Sequence, residues 1–462
     1  MTAIGWIGHD SSRSLAQTIV FVQLFEYYVV MGTLLSNETL AEVARGLAVL
    51  SDAADDVELI ERIRVLETLK NAAAAAQARA AVVLRELRED EERAAGRSAA
   101  KTGASVAAEV ALARRESPYR GRILTGLAWV LARELPRTAA LFAAGEISEY
   151  RAMLVARETA CLSRLDRGRV DAALAGELST LSDRQIVARA KRVAYELDPH
   201  SVVERVARAE ADRRVTIRPA PDCMALVSAL LPVAQGVALY AALRQEADRA
   251  RVAGDPRGRG QVMADTLVCR TTGQQVAEDV PVEVQLMISD EALLGGGNAP
   301  ARLVGHGPIP AVVARRLVQC ASEAGRASLR RLYARVPDGR LVAMESRQRV
   351  FPEGLRQFIV ARDEVCRTPW CGAPVRHADH VVPVRAGGET SASNGQGLCV
   401  QCNQVKEHPG WRARPDPDAT VVITTPSGGE HTSLPPPVVL PALECRPVVG
   451  IVYPGLGMAR AA

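Results

Sequence analysis

Residues 377–408, HADHVVPVRAGGETSASNGQGLCVQCNQVKEH, concentrate side chains that can do chemistry. Asp379 and His380 are adjacent, Gly387-Gly388 marks a turn, Asn394 stands alone, and Cys399-x-x-Cys402 is followed at once by Asn403. An ordinary globular core needs none of these together. Two metals and a scissile phosphate would account for the whole set. A second pair, Cys366-x4-Cys371, lies upstream, with residues 372–398 between the pairs. Four thiolates on two tight knuckles can surround one zinc ion (Zn2+) tetrahedrally. Pro369 and Gly372 give the first knuckle its turn chemistry. Such a site is closed, so the zinc would hold the fold and not react. The plainer alternative is four free buried cysteines.

Neighbouring residues of a strand point to opposite faces, so Asp379 and His380 can serve one small site only at a bulge or a strand end. Taken singly, each residue has an ordinary role. Asn394 would cap a helix, Asn403 would be a plain helical residue, His380 would be structural, and Lys406 would be an exposed helix lysine. His408 would interact with helix-terminal carbonyls.

The chain around this segment has 462 residues, enough for about two to four domains. The formal charge of +4 does not by itself argue for a nucleic-acid partner. Nine cysteines, an odd number, and no clear secretion signal argue against a disulfide framework and for a reducing cytoplasm. The apolar stretch 15–35 is interrupted by Gln17, Gln23 and Glu26, and a glutamate near the middle of a membrane span is costly. We read it as an atypical segment, with Met31 a candidate natural start. A packed amphipathic helix and a membrane anchor are the other readings, and no membrane partner is expected.

The elements that must position the site are mostly helical. Leu40, Val43, Ala44 and Leu47 recur at helical spacing. Residues 55–96 lack Pro and internal Gly and are rich in strong helix formers, which predicts one long helix ending near Gly96. Its run Asn71–Ala76 suits a close helix–helix contact. Further helices follow to about residue 210, with breaks near Pro118, Pro136 and Pro199. RRVTIRPAP and CMALVSALLP then read as short strands, residues 233–252 as a helix, and VPVEVQLMIS as a strand. His306 lies in a turn before a helix that starts near Pro310. PEGLRQFIVARDEVC reads as a helix leading into the first cysteine pair. A small hairpin around Ser427–Gly429 and a poorly ordered Pro-rich tail close the chain. The expected fold class is α+β, mostly α. A segment 1–35 is followed by a helical domain over 36–345, a small zinc-stapled domain over 350–412, and the hairpin and tail over 413–462.

Residues 366–408 resemble an HNH endonuclease domain, the ββα-metal fold. The resemblance rests on Cys-x4-Cys, Asp379-His380-x-x-Pro383, Gly387-Gly388, Asn394-x3-Leu398-Cys399, Cys402-Asn403 and Lys406. The segments VEVQLMIS, GHGPIPAVVARRLV, FPEGLRQFIVARDEVCRTPWC and HPGWRARPDPDATVVITTPSGGEHTSLPP are similar to actinobacterial proteins that join an HNH domain to a domain of unknown function 222. The resemblance implies a metal-dependent DNA endonuclease. His380 matches the general base, and an imidazole can accept a proton near neutral pH. Asp379 and Asn403 match the ligands of a catalytic divalent cation, and hard oxygen ligands suit Mg2+ or Mn2+ where the soft thiolates take zinc. Asn394 matches the central residue that ties the loop back and orients the base. Many HNH sites end in His where this chain has Asn403, which leaves the metal preference open. His377 is outside the motif.

Arg349, Arg356, Arg362, Arg367, Arg376, Arg385, Arg412 and Arg414 surround the site in sequence, and with Lys406 they could neutralise phosphates. Arg376, Arg385 and Lys406 are the nucleic-acid candidates, with double-stranded DNA the expected partner. Two competing readings remain. One is a DNA-binding or protein-interaction module on a zinc scaffold with an inactive nuclease centre. The other makes the helical domain the main functional part, as an oligomerisation platform.

Overall fold

The computed structural model describes residues 36–50, 55–96, 98, 102–273, 286–294, 296–304, 306–323, 345–346 and 351–436. The apolar stretch 15–35, most of the expected strand 280–289, Arg349 and the tail after residue 436 lie outside them. The chain divides into two compact units, Met1–Glu67 and Thr68–Ala462. In the first, α1 (Asn37–Ala48) begins at Ser36, whose side chain caps the Thr39 N–H at 3.1 Å, and it buries none of its residues. Helix α2 runs over Asp56–Ala94, 39 residues, and Gly96 follows it at φ 67°.

In the second unit the core belongs to a helical array: α3 (Thr102–Ala113), α4 (Pro118–Glu134), α5 (Pro136–Ala143), α6 (Glu149–Glu158), α7 (Arg164–Leu174), α8 (Asp183–Leu197) and α9 (Pro199–Ala211). Pro118, Pro136 and Pro199 each take the first helical position, where the missing N–H is not needed. Leu135, Phe142, Ile147, Leu174, Leu178 and Ile186 are fully buried among these helices. The alanine run makes the expected close contact, because Asn71 and Ala75 are buried and Asn71 Nδ2 donates to Gly145 O at 3.2 Å. Helix α5 has no cap of its own at Leu135. Buried Asp171 of α7 accepts instead from Arg137 N at 2.7 Å and Thr138 N at 2.9 Å, satisfying the helix's free donors.

Beyond α9, β1 (Arg214–Ala220) and β2 (Met224–Leu230) pair antiparallel with Arg214 opposite Leu230. The expected alternation implies one buried face, yet almost every residue of both strands is exposed. Helices α10 (Val233–Val252) and α11 (Arg259–Thr272) follow. A small sheet of β3 (Leu286–Met287), β4 (Ala301–Leu303) and β5 (Gly307–Ile309) comes next, with α12 (Asp290–Leu294) and α13 (Ala311–Glu323). His306 is a turn residue whose N–H bonds Leu303 O at 3.0 Å.

The C-terminal part holds β6 (Glu345–Ser346), α14 (Glu353–Asp363), β7 (His377–His380), β8 (Thr390–Ser391), β9 (Gly395–Leu398) and α15 (Val400–Val405). A three-stranded sheet of β10 (Arg412–Asp416), β11 (Thr420–Thr424) and β12 (Glu430–Ser433) completes it. The sequence showed only the last two of these strands as a hairpin. Val421 and Ile423 pack on Val381 with Trp411 and Ala413, so this sheet shares a core with the segment after β7. The helical array touches the same region. Gln401 Nε2 donates to Pro118 O at 3.3 Å, Trp411 Nε1 to Ser105 Oγ at 2.8 Å, and Ser427 N to Glu109 Oε1 at 2.8 Å.

Helices α3 and α4 can approach closely because residue 121 has no side chain. A Cβ there would lie 2.5 Å from both Ala107 O and Ala111 Cβ. Gly121→Val should destabilise the protein by about 1–3 kcal/mol through overpacking. Gly126→Ala, where a Cβ meets nothing within 4 Å, should stabilise it by about 0.5–1 kcal/mol. Chemical denaturation of the two variants checks both signs.

Candidate metal and nuclease centre

Strand β7 pairs antiparallel with β9, His377 opposite Leu398 and His380 opposite Gly395. Asp379 and His380 are thus the last two residues of a short strand, the strand-end placement that lets both serve one site. Their contacts differ. The His380 ring lies against Phe351 with centroids 4.4 Å apart, and its Nε2 is 2.9 Å from Thr390 Oγ1. Burial pushes the His380 imidazole below its ordinary value. Asp379 opposes that shift and Lys406 adds to it, and the net lowering favours the neutral ring. The Asp379 carboxylate instead meets the Lys406 ammonium, its ion-pair partner at the end of α15. Neither Phe351 nor Thr390 was visible as a site residue in the sequence, because neither carries a motif.

Asn394 is not a helix cap. It is buried, and its Oδ1 accepts from Val382 N at 2.9 Å. Its Nδ2 donates to Val382 O at 3.0 Å and to Glu389 O at 2.8 Å. One side chain thereby closes the loop from residue 382 to 394 behind His380. Gly387 turns that loop at φ 86°, and a Cβ on Gly388 would overlap Val382 O at 1.8 Å. Cys399 is the cap of α15, its sulfur accepting from Cys402 N at 3.4 Å.

The four cysteines converge. The sulfurs of Cys366, Cys371, Cys399 and Cys402 all lie within 4.8 Å of one another. Cys371 Sγ is 3.8 Å from both Cys399 Sγ and Cys402 Sγ. Thiolates bound tetrahedrally to zinc at about 2.3 Å stand about 3.8 Å apart, so the spacing fits such an ion. Hydrogen bonding from Cys366 and the other thiols holds Cys399 far below an ordinary thiol, while the same neighbours push Cys402 far up. One thiolate in the cluster opposes the next until a cation compensates them. No disulfide forms among the described cysteines.

The fit to a second, harder cation is tested by unsatisfied atoms. Asn403 Oδ1 is buried and has no hydrogen-bond partner, and buried Asp379 Oδ2 has no hydrogen bond besides its charge contact with Lys406. A buried oxygen without a partner is costly and needs a reason. A divalent cation with a taste for oxygen would supply one at Asn403 and would suit the Asp379 carboxylate as well.

Two arginines expected near phosphate are structural. Arg362 and Arg367 are both buried against buried Asp363. Arg362 Nε lies 2.7 Å from Asp363 Oδ1, Arg367 Nη1 lies 3.1 Å from the same oxygen, and Gly397 N donates to Oδ2 at 2.6 Å. Arg362 also donates to Gly395 O at 2.7 Å, and Arg367 to Ala419 O at 3.0 Å. Arg376 and Arg412 are exposed, and Arg385 pairs with Glu407 at 2.9 Å. Lys406 is engaged at Asp379 and at His380 O, 3.1 Å away.

The family model described as a domain of unknown function (DUF222) matches residues 63–363. The chain belongs to the DUF222 family. The model for HNH endonuclease matches residues 366–408, directly after it. This DUF222 chain is 33% identical over 141 residues to uncharacterized protein Rv3776 of Mycobacterium tuberculosis (strain ATCC 25618 / H37Rv). The match covers 29% of this chain and 25% of that relative, so it spans a quarter of the relative's length. No solved structure matches. No helix among the described residues is long and apolar enough to cross a membrane.

Removing Asp363 would leave two buried guanidinium groups uncompensated. Asp363→Ala should cost about 3–5 kcal/mol, seen as a large drop in the unfolding midpoint. Cys399→Ser should release the ion from purified protein, measured by elemental analysis, and lower the same midpoint.

Proposed function

We propose that the chain is a metal-dependent endonuclease that hydrolyses phosphodiester bonds in double-stranded DNA. The observation that carries this reading is that unpartnered, buried Asn403 Oδ1 and the Asp379 carboxylate, whose buried Oδ2 meets only Lys406, stand at the two positions that the HNH resemblance assigns to a cation. His380 stands next in the chain as the base. In the tautomer whose Nε2–H donates to Thr390 Oγ1, Nδ1 is the nitrogen that takes the proton of the attacking water. The Phe351 ring fixes the plane of the imidazole, and burial keeps it in the basic form. Mg2+ or Mn2+, held by Asp379 and Asn403, would stabilise the charge on the scissile phosphate and the leaving oxygen.

The rest of the site supports these groups. Asn394 holds the loop that carries His380, and zinc on Cys366, Cys371, Cys399 and Cys402 holds the helix that carries Asn403. Exposed Arg376 and Arg385 are assigned to backbone phosphates, a role that neutralises charge without reading sequence. Lys406 joins them once it leaves Asp379. Free thiols and a thiolate zinc site suit a cytoplasmic protein.

His380→Ala should lower plasmid cleavage by about 10²–10⁴-fold, the usual contribution of a general base, while zinc content and thermal unfolding stay unchanged. Asn403→Ala should also lose cleavage, with partial recovery at high Mn2+. Equal cleavage by wild type and His380→Ala, free of contaminating nuclease, would place the active residues elsewhere.

A further inference from the structure

Lys406 occupies ground that a metal ion would need. It follows the last turn of α15 as the C-terminal cap residue, three positions after Asn403, so the two share one helix face. Asp379 reaches that face from β7 and pairs its Oδ2 with Lys406 Nζ. The pair is largely covered, with side-chain exposures of 17% for Lys406 and 20% for Asp379. Asp379 Oδ2 has no hydrogen bond besides this charge contact, and Asn403 Oδ1 has none at all. An ammonium and a divalent cation cannot both hold one carboxylate oxygen, because like charges at contact repel strongly. The ammonium has a second place to go. Glu407 Oε1 is 3.3 Å from Nζ, and Arg385 already steadies the other oxygen of that carboxylate at 2.9 Å.

We infer that Lys406 is an exchangeable counter-ion: it compensates Asp379 in the metal-free protein and yields that carboxylate to the catalytic divalent cation, moving onto Glu407. The inference rests on the reading of Asp379 and Asn403 as the cation's ligands. It makes Lys406 a competitor of the metal. It also ties metal entry to the release of a positive charge beside the site, where a phosphate oxygen of the substrate can meet it. A salt bridge that only shaped the site would behave in the opposite way. Its loss would leave Asp379 less well placed and weaken metal binding.

Mn2+ binding to the full chain, followed by the loss of the free-ion paramagnetic resonance signal, separates the two. Lys406→Gln should bind Mn2+ roughly tenfold more tightly than wild type, a coupling of ordinary size, and Asp379→Asn should lose the site. A second measurement uses wild type alone. Amine acylation read by mass spectrometry, with Lys70 and Lys191 as internal references, should modify Lys406 several-fold faster when Mn2+ is present. That arm decides the matter should Lys406→Gln fail to fold. Equal or weaker Mn2+ affinity in Lys406→Gln, or unchanged protection of Lys406, overturns the exchange and leaves the metal site standing. Absence of any Mn2+ site that depends on Asp379 overturns the exchange together with the cation-ligand reading.

Discussion

One buried carboxylate organises the C-terminal part of the molecule. Asp363 ends α14 and receives two guanidinium groups and a backbone N–H. Each of those donors comes from a different stretch with further work to do. Arg362 goes on to the carbonyls of Ala392 and Gly395 at the start of β9. Arg367, in the first cysteine knuckle, goes on to Ala419, in the turn before β11, and to Ser433 of β12. The Gly397 N–H belongs to the strand that pairs with β7. A charge buried in this way is tolerated only when every partner is in place. The helix, both strands of the site, the knuckle and the C-terminal sheet are therefore fixed against one another by a single group.

Above that network the chemistry is shared out by element. Strand β7 brings a carboxylate and an imidazole, the loop closed by Asn394 brings Thr390 to the imidazole, and α15 with its cap residue brings Asn403 and two of the thiols. The helical array meets this region at three polar contacts from α3 and the start of α4. One of these, from Gln401, lies within the helix that carries Asn403. The DUF222 part is thus in direct contact with the helix that carries Asn403.

The convergence of the four cysteines was legible because metal geometry constrains both residue type and interval. The long helix and its breaks were legible because proline and glycine act locally. What failed to show were interactions between distant residues of ordinary type. Arg362 and Arg367 read as phosphate ligands because nothing in a sequence distinguishes a buried arginine from an exposed one. Asn394 taken alone reads as a helix cap, and only the HNH resemblance pointed to a loop tie; its partners, Val382 and Glu389, are ordinary residues that carry no motif. Strand β9, with two glycines in four residues, has no strand propensity. It exists because those glycines let Asp363, Ile359 and Phe351 approach the backbone. The hairpin β1–β2 shows the reverse case, in which alternation was present without a buried face to match it.

Helix α15 is six residues long. A helix of that length has no stability of its own in water. It is held at its cap by Cys399, in its middle by Cys402, at its end by the Lys406–Asp379 pair, and from outside by Pro118. Fraying of this helix would break the thiol cluster and the ion pair in the same event. Its amide hydrogens are therefore protected by the opening of a larger cooperative unit and not by the helix itself. A segment that would melt alone instead exchanges as slowly as the knuckle and strand that clamp it.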